Sequence, residues 1–373
     1  MQFSIKYRPR TFKEVFGQDH IKRALQNRAK TRDFPKAMLL KGKFGTGKTT
    51  IAQIIAMTIQ CPHLDAEGNP CGVCPSCRSI IEERFDRDTM MLDGSQIGQK
   101  DNVIEFTSII GVTPLYDANR VFIIEEADQL STAASNALLK VLEDPHEKTY
   151  FILLSMEAKG LSSAIQSRCQ FYYFKPLSIK DTMFALKSIL EKEGLWNNPD
   201  IPQQFKLEGL SLIATASNGS LRVAVQMLEQ AISMQAWNLS ELEGSLGIPE
   251  QFLSYKILHM LAEGNNNPDM WASIYDADAH TLYNYITLIL ADVALYKATG
   301  YIKDPGFASN IHTLAGYPHI QDLIDAFTLN AHLDKAYIRK ADLLLALADY
   351  YKKCIRGAPS TESAPPVRRI PVR

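Results

Sequence analysis

The chain has 373 residues, enough for two or three domains, and its 46% apolar content is ample for packed cores. With 40 basic and 41 acidic residues the net charge is −1, which excludes a general polyanion-binding surface while leaving room for a local basic face. The opening MQFSIKYRPR lacks the apolar core of a signal peptide, and no apolar run approaches the ~20 residues of a membrane span, so a soluble cytoplasmic protein with no membrane contact is expected.

Residues 1–36 read as a mostly helical lead-in, periodic over 20–29. A short apolar strand at 38–40 then runs into GKFGTGKT at 42–49, which fits G-x-x-x-x-G-K-[ST] at every fixed position. A helix-like run over 49–59 follows. Strand, glycine loop and helix form the context that a phosphate-binding loop demands. Gly42, Gly45 and Gly47 let the backbone curl so that successive N–H groups point at an anion. The helix N-terminus adds partial positive charge, Lys48 would reach the β- and γ-phosphates of ATP, and Thr49 would hold Mg²⁺. Thr46 and Thr50 belong to the same nucleotide-binding stretch.

Four of the six cysteines cluster next, as CPHLDAEGNPCGVCPSC, a C-x9-C-x2-C-x2-C spacing. A reducing compartment disfavours disulfides. Thiolates two residues apart can converge on one tetrahedral ion, so Cys61, Cys71, Cys74 and Cys77 are expected to hold a structural Zn²⁺, with the Gly68-Asn69-Pro70 turn between them. Four cysteine ligands would leave no open position for catalysis.

Downstream, strands at 89–92, 121–124 and 150–154 alternate with helices at 101–110 and 133–142. Continuous apolar strands spaced by helices imply a parallel sheet covered on both faces. After about Pro176 the pattern becomes helical throughout, with amphipathic stretches at 179–193, 205–217 and 221–234. A boundary at 237–249 precedes helices at 251–261, 281–298 and 335–353. The tail RGAPSTESAPPVRRIPVR has the composition of a disordered segment. The expected domains are 1–176, nucleotide-binding with a zinc knuckle at 61–77; 177–238, a helical lid; 239–356, a helical collar; and 357–373, the tail.

Residues 121–128 read VFIIEEAD, an apolar strand ending in two carboxylates. The first, Glu125, would orient Mg²⁺ through its waters, and Glu126 would polarise an attacking water as general base. Ser155, at the end of the strand 150–154, could bond the γ-phosphate or that water, though a plain strand terminus explains it equally well. Arg168 and Arg222 are, on local grounds, solvated surface charges.

Taken together, YRPRTFKEVFGQDH, GKFGTGKT, PCGVCPSC, SNALLKVLEDP, IQSRCQFYYF and GSLRVAVQMLEQA resemble, in order over about residues 5–235, the AAA+ clamp-loader ATPases. The match is closest to the gamma/tau subunits of bacterial DNA polymerase III. That resemblance implies a RecA-like α/β AAA+ domain with a zinc-binding insertion, then a small helical lid and an all-α collar. It implies that Arg168 is an arginine finger acting on ATP of a neighbouring subunit. Arg222 would be the second sensor, reaching the nucleotide of its own subunit, and Ser155 the first. Tyr7, Val15 and Phe16 fall where the family holds the base, and 109–117 where it touches the sliding clamp. The partners implied are other clamp-loader subunits in a pentameric spiral, a sliding clamp and primer–template DNA.

The chain departs from the family at Glu125, where an Asp is usual, so slower hydrolysis is expected. Lys43-Phe44 replaces Pro-Arg with little effect expected. The segment 95–106 matches loosely, which leaves Lys100 better read as a solvated lysine than as a DNA contact. Ending soon after the collar-like helices, the chain resembles a gamma-type form. Rival readings are a catalytically weak loader subunit, another AAA+ DNA motor such as a branch-migration helicase, and a zinc adaptor that uses the loop as scaffold.

Overall fold

The computed structural model describes residues 2–85, 88–97, 104, 106, 108–110, 119–156, 160–238, 241–242, 250–263, 272, 274–275, 278–301, 308–317, 320–330 and 347. Lys100, half of the stretch expected at 101–110, most of those at 109–117 and 335–353, and the tail 357–373 lie outside the described residues. Contacts divide the chain into two compact units, Met1–Leu246 and Gly247–Arg373.

The first unit is built on a parallel sheet of β1 (Ala37–Gly42), β2 (Thr89–Asp93), β3 (Arg120–Glu125), β4 (Thr149–Ser155) and β5 (Gln170–Phe174), in the order β2-β3-β4-β1-β5. Four strands coincide with the apolar runs read from the sequence. The fifth, QFYYF, has no such run. It lies at the sheet edge against β1, with Tyr172 and Phe174 buried and Tyr173 55% exposed. A strand half open to solvent alternates instead of running apolar, although its aromatic content suits a pleated surface.

Alternation along the inner strands divides the core between two faces. Met38, Leu40, Val121, Ile123, Ile152 and Leu154 pack on one side with the helix Lys48–Gln60. Leu39, Phe122, Ile124, Phe151 and Leu153 pack on the other with the helix Thr132–Glu143. Every residue from Ile51 to Ile59 is buried, because this helix has the sheet beneath it and the cysteine segment against it. Four helices start where a serine side chain accepts a backbone N–H from the first turn: Ser131, Ser162, Ser178 and Ser220. Such caps satisfy donors that the helix leaves open.

Beyond β5 the first unit continues with the helices Ile179–Lys192, Leu210–Ala216 and Leu221–Met234. The single helix expected over 205–217 is instead a wide π-helical turn, Phe205–Gly209, followed by the α-helix from Leu210. A Cβ on Gly209 would come within 2.8 Å of the Phe205 ring, so the ring lies flat on this turn because residue 209 has no side chain.

The second unit is helical, with Glu250–Glu263, Ala279–Thr299, Ala308–Ala315 and Ile320–Asn330 around a core that includes Leu258, Leu282, Ile286, Leu290, Leu314 and Leu323. Among the described residues no helix is long and apolar enough to cross a membrane.

Phe122 and Phe151, on β3 and β4, stack with centroids 5.1 Å apart and are fully buried. Phe122→Ala should lower unfolding free energy by about 3–5 kcal/mol in a denaturant titration. A loss under about 1 kcal/mol would mean that this layer of the core is not closely packed.

Candidate nucleotide and metal sites

The functional residues gather at the C-terminal ends of the strands. β1 lies between β4 and β5, while the next strand in sequence, β2, lies at the far edge. The reversal of strand order opens a crevice beyond β1, the usual place for ligands on an open α/β sheet. The glycine loop occupies it. Gly45 and Gly47 have φ of 74° and 97°, a left-handed conformation that side chains disfavour. Lys48 Nζ donates to the carbonyls of Gly42 at 2.6 Å and Lys43 at 2.9 Å, spanning the base of the loop. Burial holds its pKa below the ordinary value, and the charges of Asp128 and Glu125 oppose that shift.

Thr49 Oγ1 donates to Glu125 Oε1 at 2.6 Å, so the first residue of the carboxylate pair touches the hydroxyl expected to hold Mg²⁺. Asp93, at the end of β2, is in register with Glu125. Glu126 follows with φ of 48° and is exposed. This left-handed turn separates it from the strand direction. Ser155 ends β4, 1% exposed. Of these, all but Gly42 and Lys43 line one cavity of about 1040 Å³, together with Thr50, Tyr7, Phe16 and Arg222, whereas Thr46 does not. Val15 is buried beside it and is not part of its wall.

Two glycines of the loop have a second reason to be glycine. A Cβ on Gly42 would lie 2.5 Å from the carbonyl oxygen of Phe174 in β5. A Cβ on Gly45 would lie 1.9 Å from Ser220 Oγ, at the start of the helix Leu221–Met234. Leu221 N donates to Gly45 O at 3.0 Å. This helix therefore sits directly on the loop, with Arg222 at the cavity mouth.

The N-terminal segment forms another wall. The Tyr7 hydroxyl donates to Glu193, and Lys6 Nζ pairs with the same carboxylate at 2.8 Å. Lys6 first, then Tyr7, hold the Glu193 carboxyl below its usual range. Arg8 pairs with Glu83 at 2.5 Å and donates to Gln53 of the loop helix at 3.2 Å. Gln18, with φ of 54°, donates to the carbonyls of Lys175 at 2.6 Å and Thr46 at 3.5 Å, and accepts from Lys175 N at 3.2 Å. One buried amide thus ties the loop to the segment leaving β5.

Arg168 lies outside this cavity. It is exposed at the end of the helix Ser163–Arg168, donating to Glu143 Oε1 and to the Ala164 carbonyl, both at 2.9 Å.

The cysteine sulfurs of residues 61, 71, 74 and 77 lie within 4.8 Å of one another. Four thiolates at about 2.3 Å from a tetrahedral zinc ion are about 3.8 Å apart, so the set fits such an ion. Backbone N–H groups of Cys71, Cys74 and Cys77 point at the sulfurs of Cys61, Cys71 and Cys74, at 3.4–3.5 Å. Backbone donors from Val73 and Cys74 bring the Cys71 thiol down to about 6, whereas burial raises those of Cys61 and Cys77. The turn between Cys61 and Cys71 is held by Asp65, which accepts from Asn69 N at 2.7 Å, and Asn69 Oδ1 accepts from Phe12 N at 3.1 Å.

Against known proteins, the family described as DNA polymerase III, delta subunit, matches residues 17–178. The DNA polymerase III subunit gamma of Buchnera aphidicola subsp. Schizaphis graminum is 33% identical over 267 residues, which cover 71% of this chain and 71% of that one. The chain belongs to the DNA polymerase III gamma/tau family. The tau subunits of Bacillus subtilis (34% identical, 61% of this chain) and Escherichia coli K12 (31% identical, 70% of this chain) match as well; the chain spans 38% and 39% of their lengths. Among solved structures, a Thermotoga maritima RuvB Holliday junction branch migration motor gives a TM-score of 0.49 at 19% identity, over 79% of this chain and 98% of that one. A likeness that weak decides nothing.

Within this gamma/tau fold the cavity gathers residues from six separate places in the sequence: the lead-in, the glycine loop, the ends of β2, β3 and β4, and the helices that follow β5. The sequence reading passes over two residues of its wall, Asp128 and Asp93, and over Gln18, which ties the loop to the end of β5. Asp128 ends the string VFIIEEAD, yet weight fell on the two glutamates before it; its Oδ1 is shut off from solvent with no hydrogen-bond partner among the described residues. Asp93 follows the apolar run 89–92, and a carboxylate just past a strand end was the available signal. Gln18 carries no signal, because its three hydrogen bonds go to backbone far away in sequence.

Gly45→Ala should displace Ser220 and unseat the lid from the loop, weakening binding of an ATP analogue at least about tenfold by equilibrium titration. Unchanged affinity would show that lid docking at Gly45 is dispensable for the site.

Proposed function

We propose that this chain is an ATPase motor subunit of a DNA polymerase clamp loader, coupling ATP binding and hydrolysis to the opening and loading of a sliding clamp on primer–template DNA. The observation that carries the reading is the convergence of Lys48, Thr49, Glu125, Glu126 and Ser155 with lid residue Arg222 on one cavity above the sheet. A zinc adaptor using the loop as mere scaffold has no need of that convergence, nor does a structural loader subunit.

In this mechanism the loop N–H groups and Lys48 take the β- and γ-phosphates, and a shift of Lys48 from the Gly42 and Lys43 carbonyls to phosphate supplies the partner its charge needs. Mg²⁺, when bound, would screen phosphate charge and orient the leaving group. Thr49, Glu125, Asp93 and Asp128 would hold it, the last by a buried oxygen otherwise without a partner among the described residues. Glu126 accepts a proton from the attacking water, and Ser155 orients it. Arg222 stabilises the phosphates from the lid. Arg168, exposed and away from its own cavity, acts on the ATP of a neighbouring subunit, its ion pair with Glu143 giving way to phosphate. Tyr7, Val15 and Phe16 border the place of the base. The extra methylene of Glu125 relative to Asp slows hydrolysis.

The four cysteines would hold a structural Zn²⁺, which they ligate as thiolates and which would close the segment around one tetrahedral ion. The partners in this reading are further loader subunits, in a pentameric spiral, with the clamp and DNA. DNA would be held through its phosphates and not its bases, and several small basic faces converging inside the spiral would let a chain of net charge −1 do so. The domain division at 176 and 238 and a cytoplasmic location go with the same reading.

The deciding measurement is steady-state ATP hydrolysis by the purified complex, with and without clamp and primed DNA. Strong stimulation by both together is expected; nucleotide binding without turnover in every combination would favour a weakened, structural subunit instead. Lys48→Ala should abolish nucleotide-dependent clamp binding. Arg168→Ala should leave ATP bound while turnover falls by about 10³-fold or more, and equal loss of both would overturn its action in trans.

Cys74→Ser should release the metal and lower the thermal midpoint, with little direct effect on hydrolysis by the folded fraction. Elemental analysis that finds no zinc in the unsubstituted protein would sink the metal assignment.

A further inference from the structure

Phe44 occupies a variable position of the loop, outside the fixed phosphate-binding pattern, and it is 53% exposed. A large apolar ring at the tip of a polar loop loses free energy to water unless something lies on it. What lies on it is the guanidinium of Arg222, with Cζ 5.0 Å from the ring centroid. Among the described residues Arg222 has no carboxylate partner, so the ring face is the contact that fixes its head group. The neighbouring contacts are equally specific. Leu221 N donates to Gly45 O at 3.0 Å, and the Cβ of Arg222 is 3.4 Å from where a Cβ of Gly45 would be. Residues 44 and 45 of the loop therefore meet residues 220–222 of the lid side by side, one through a ring face and the other through backbone.

We propose that Phe44 is a positioning residue for Arg222. Its ring holds the guanidinium at the cavity mouth and keeps the start of the helix Leu221–Met234 seated on the loop before nucleotide arrives. An arginine is long and flexible, and immobilising it on binding costs rotamer entropy. A ring that already restrains the head group lowers that cost, which is preorganisation of the lid. A cation over an aromatic face is attracted by the ring quadrupole, and Trp provides a stronger face than Phe, whereas Leu provides bulk without a π-system. The role of Arg222 toward phosphate rests on the function proposed above. The seating of the lid by Phe44 does not.

The test compares the full-length protein with Phe44→Leu, Phe44→Trp, Arg222→Gln and the Phe44→Leu/Arg222→Gln double variant. Hydrogen–deuterium exchange over 221–225 is followed without nucleotide, and affinity for a non-hydrolysable ATP analogue is measured by titration. Phe44→Leu and Arg222→Gln should each speed exchange at 221–225 by about two- to fivefold, the range expected for one exposed cation–π contact. The double variant should exchange no faster than Arg222→Gln alone, and Phe44→Trp should restore protection. Analogue binding should weaken in Phe44→Leu by a similar factor.

Exchange in Phe44→Leu equal to that of the unsubstituted protein would overturn the proposal, as would additive effects in the double variant. Tighter analogue binding in Phe44→Leu would also overturn it, since the ring would then be competing with phosphate for Arg222. If the unsubstituted protein binds no nucleotide analogue, the ATPase reading fails. The exchange data still decide whether Phe44 seats the lid.

Discussion

The placement of β1 between β4 and β5, paired in parallel on both sides, is the constraint on which the candidate site depends. Parallel pairing brings the C-terminal ends of all five strands to one edge. The glycine loop leaves β1 there, with the β3 carboxylates and Ser155 of β4 beside it. β5 on the other side delivers the chain to the lid, so that Lys175 and Ser220 come back onto the same loop. Antiparallel order would scatter these groups over two edges. The interior pays for this arrangement in composition: strands covered on both faces must be apolar throughout, which is why Val121–Ile124 and Phe151–Leu154 carry no polar residue.

From that edge outward, the structure is held by contacts that join distant parts of the sequence through small groups. Gly42 ends β1 and Gly45 takes a left-handed turn, and each admits a neighbour that a Cβ would displace. Gln18 uses one side-chain amide for three backbone groups. The N-terminal segment is tied to the lid through Tyr7 and Lys6 on Glu193, to the loop helix through Arg8 on Gln53, and to the cysteine segment through Phe12 on Asn69. Each joint is worth little alone. Water and salt screen surface ion pairs such as Lys6–Glu193, so these joints define geometry more than they add stability.

The cysteine segment packs its four thiols against the same core as the loop helix, with Cys61 and Cys77 fully buried. Small insertions lack the apolar area to order themselves. A tetrahedral ion closes a short loop without that area, and the N–H groups aimed at the sulfurs reduce the cost of concentrating negative charge there.

Much of this was legible in the residues because local chemistry demands it. A loop that cradles phosphate needs glycines where backbone must turn, a lysine at one place and a hydroxyl after it; a tetrahedral thiolate site needs its spacing; a doubly covered strand needs a continuous apolar run. GKFGTGKT, the four cysteines and four of the five strands were readable on those grounds. The strand QFYYF was not, because an edge strand is defined by the partner it pairs with. The broken helix at Phe205–Gly209 was not, because helical periodicity is insensitive to one wide turn. Nor could periodicity or motif say that Phe44 faces Arg222, that Gln18 spans from the loop to the segment leaving β5, or that Arg168 stands outside its own cavity beside Glu143. Those relations join residues up to 178 positions apart. They depend on how the strands are ordered and where the lid returns, so folding in three dimensions settles them.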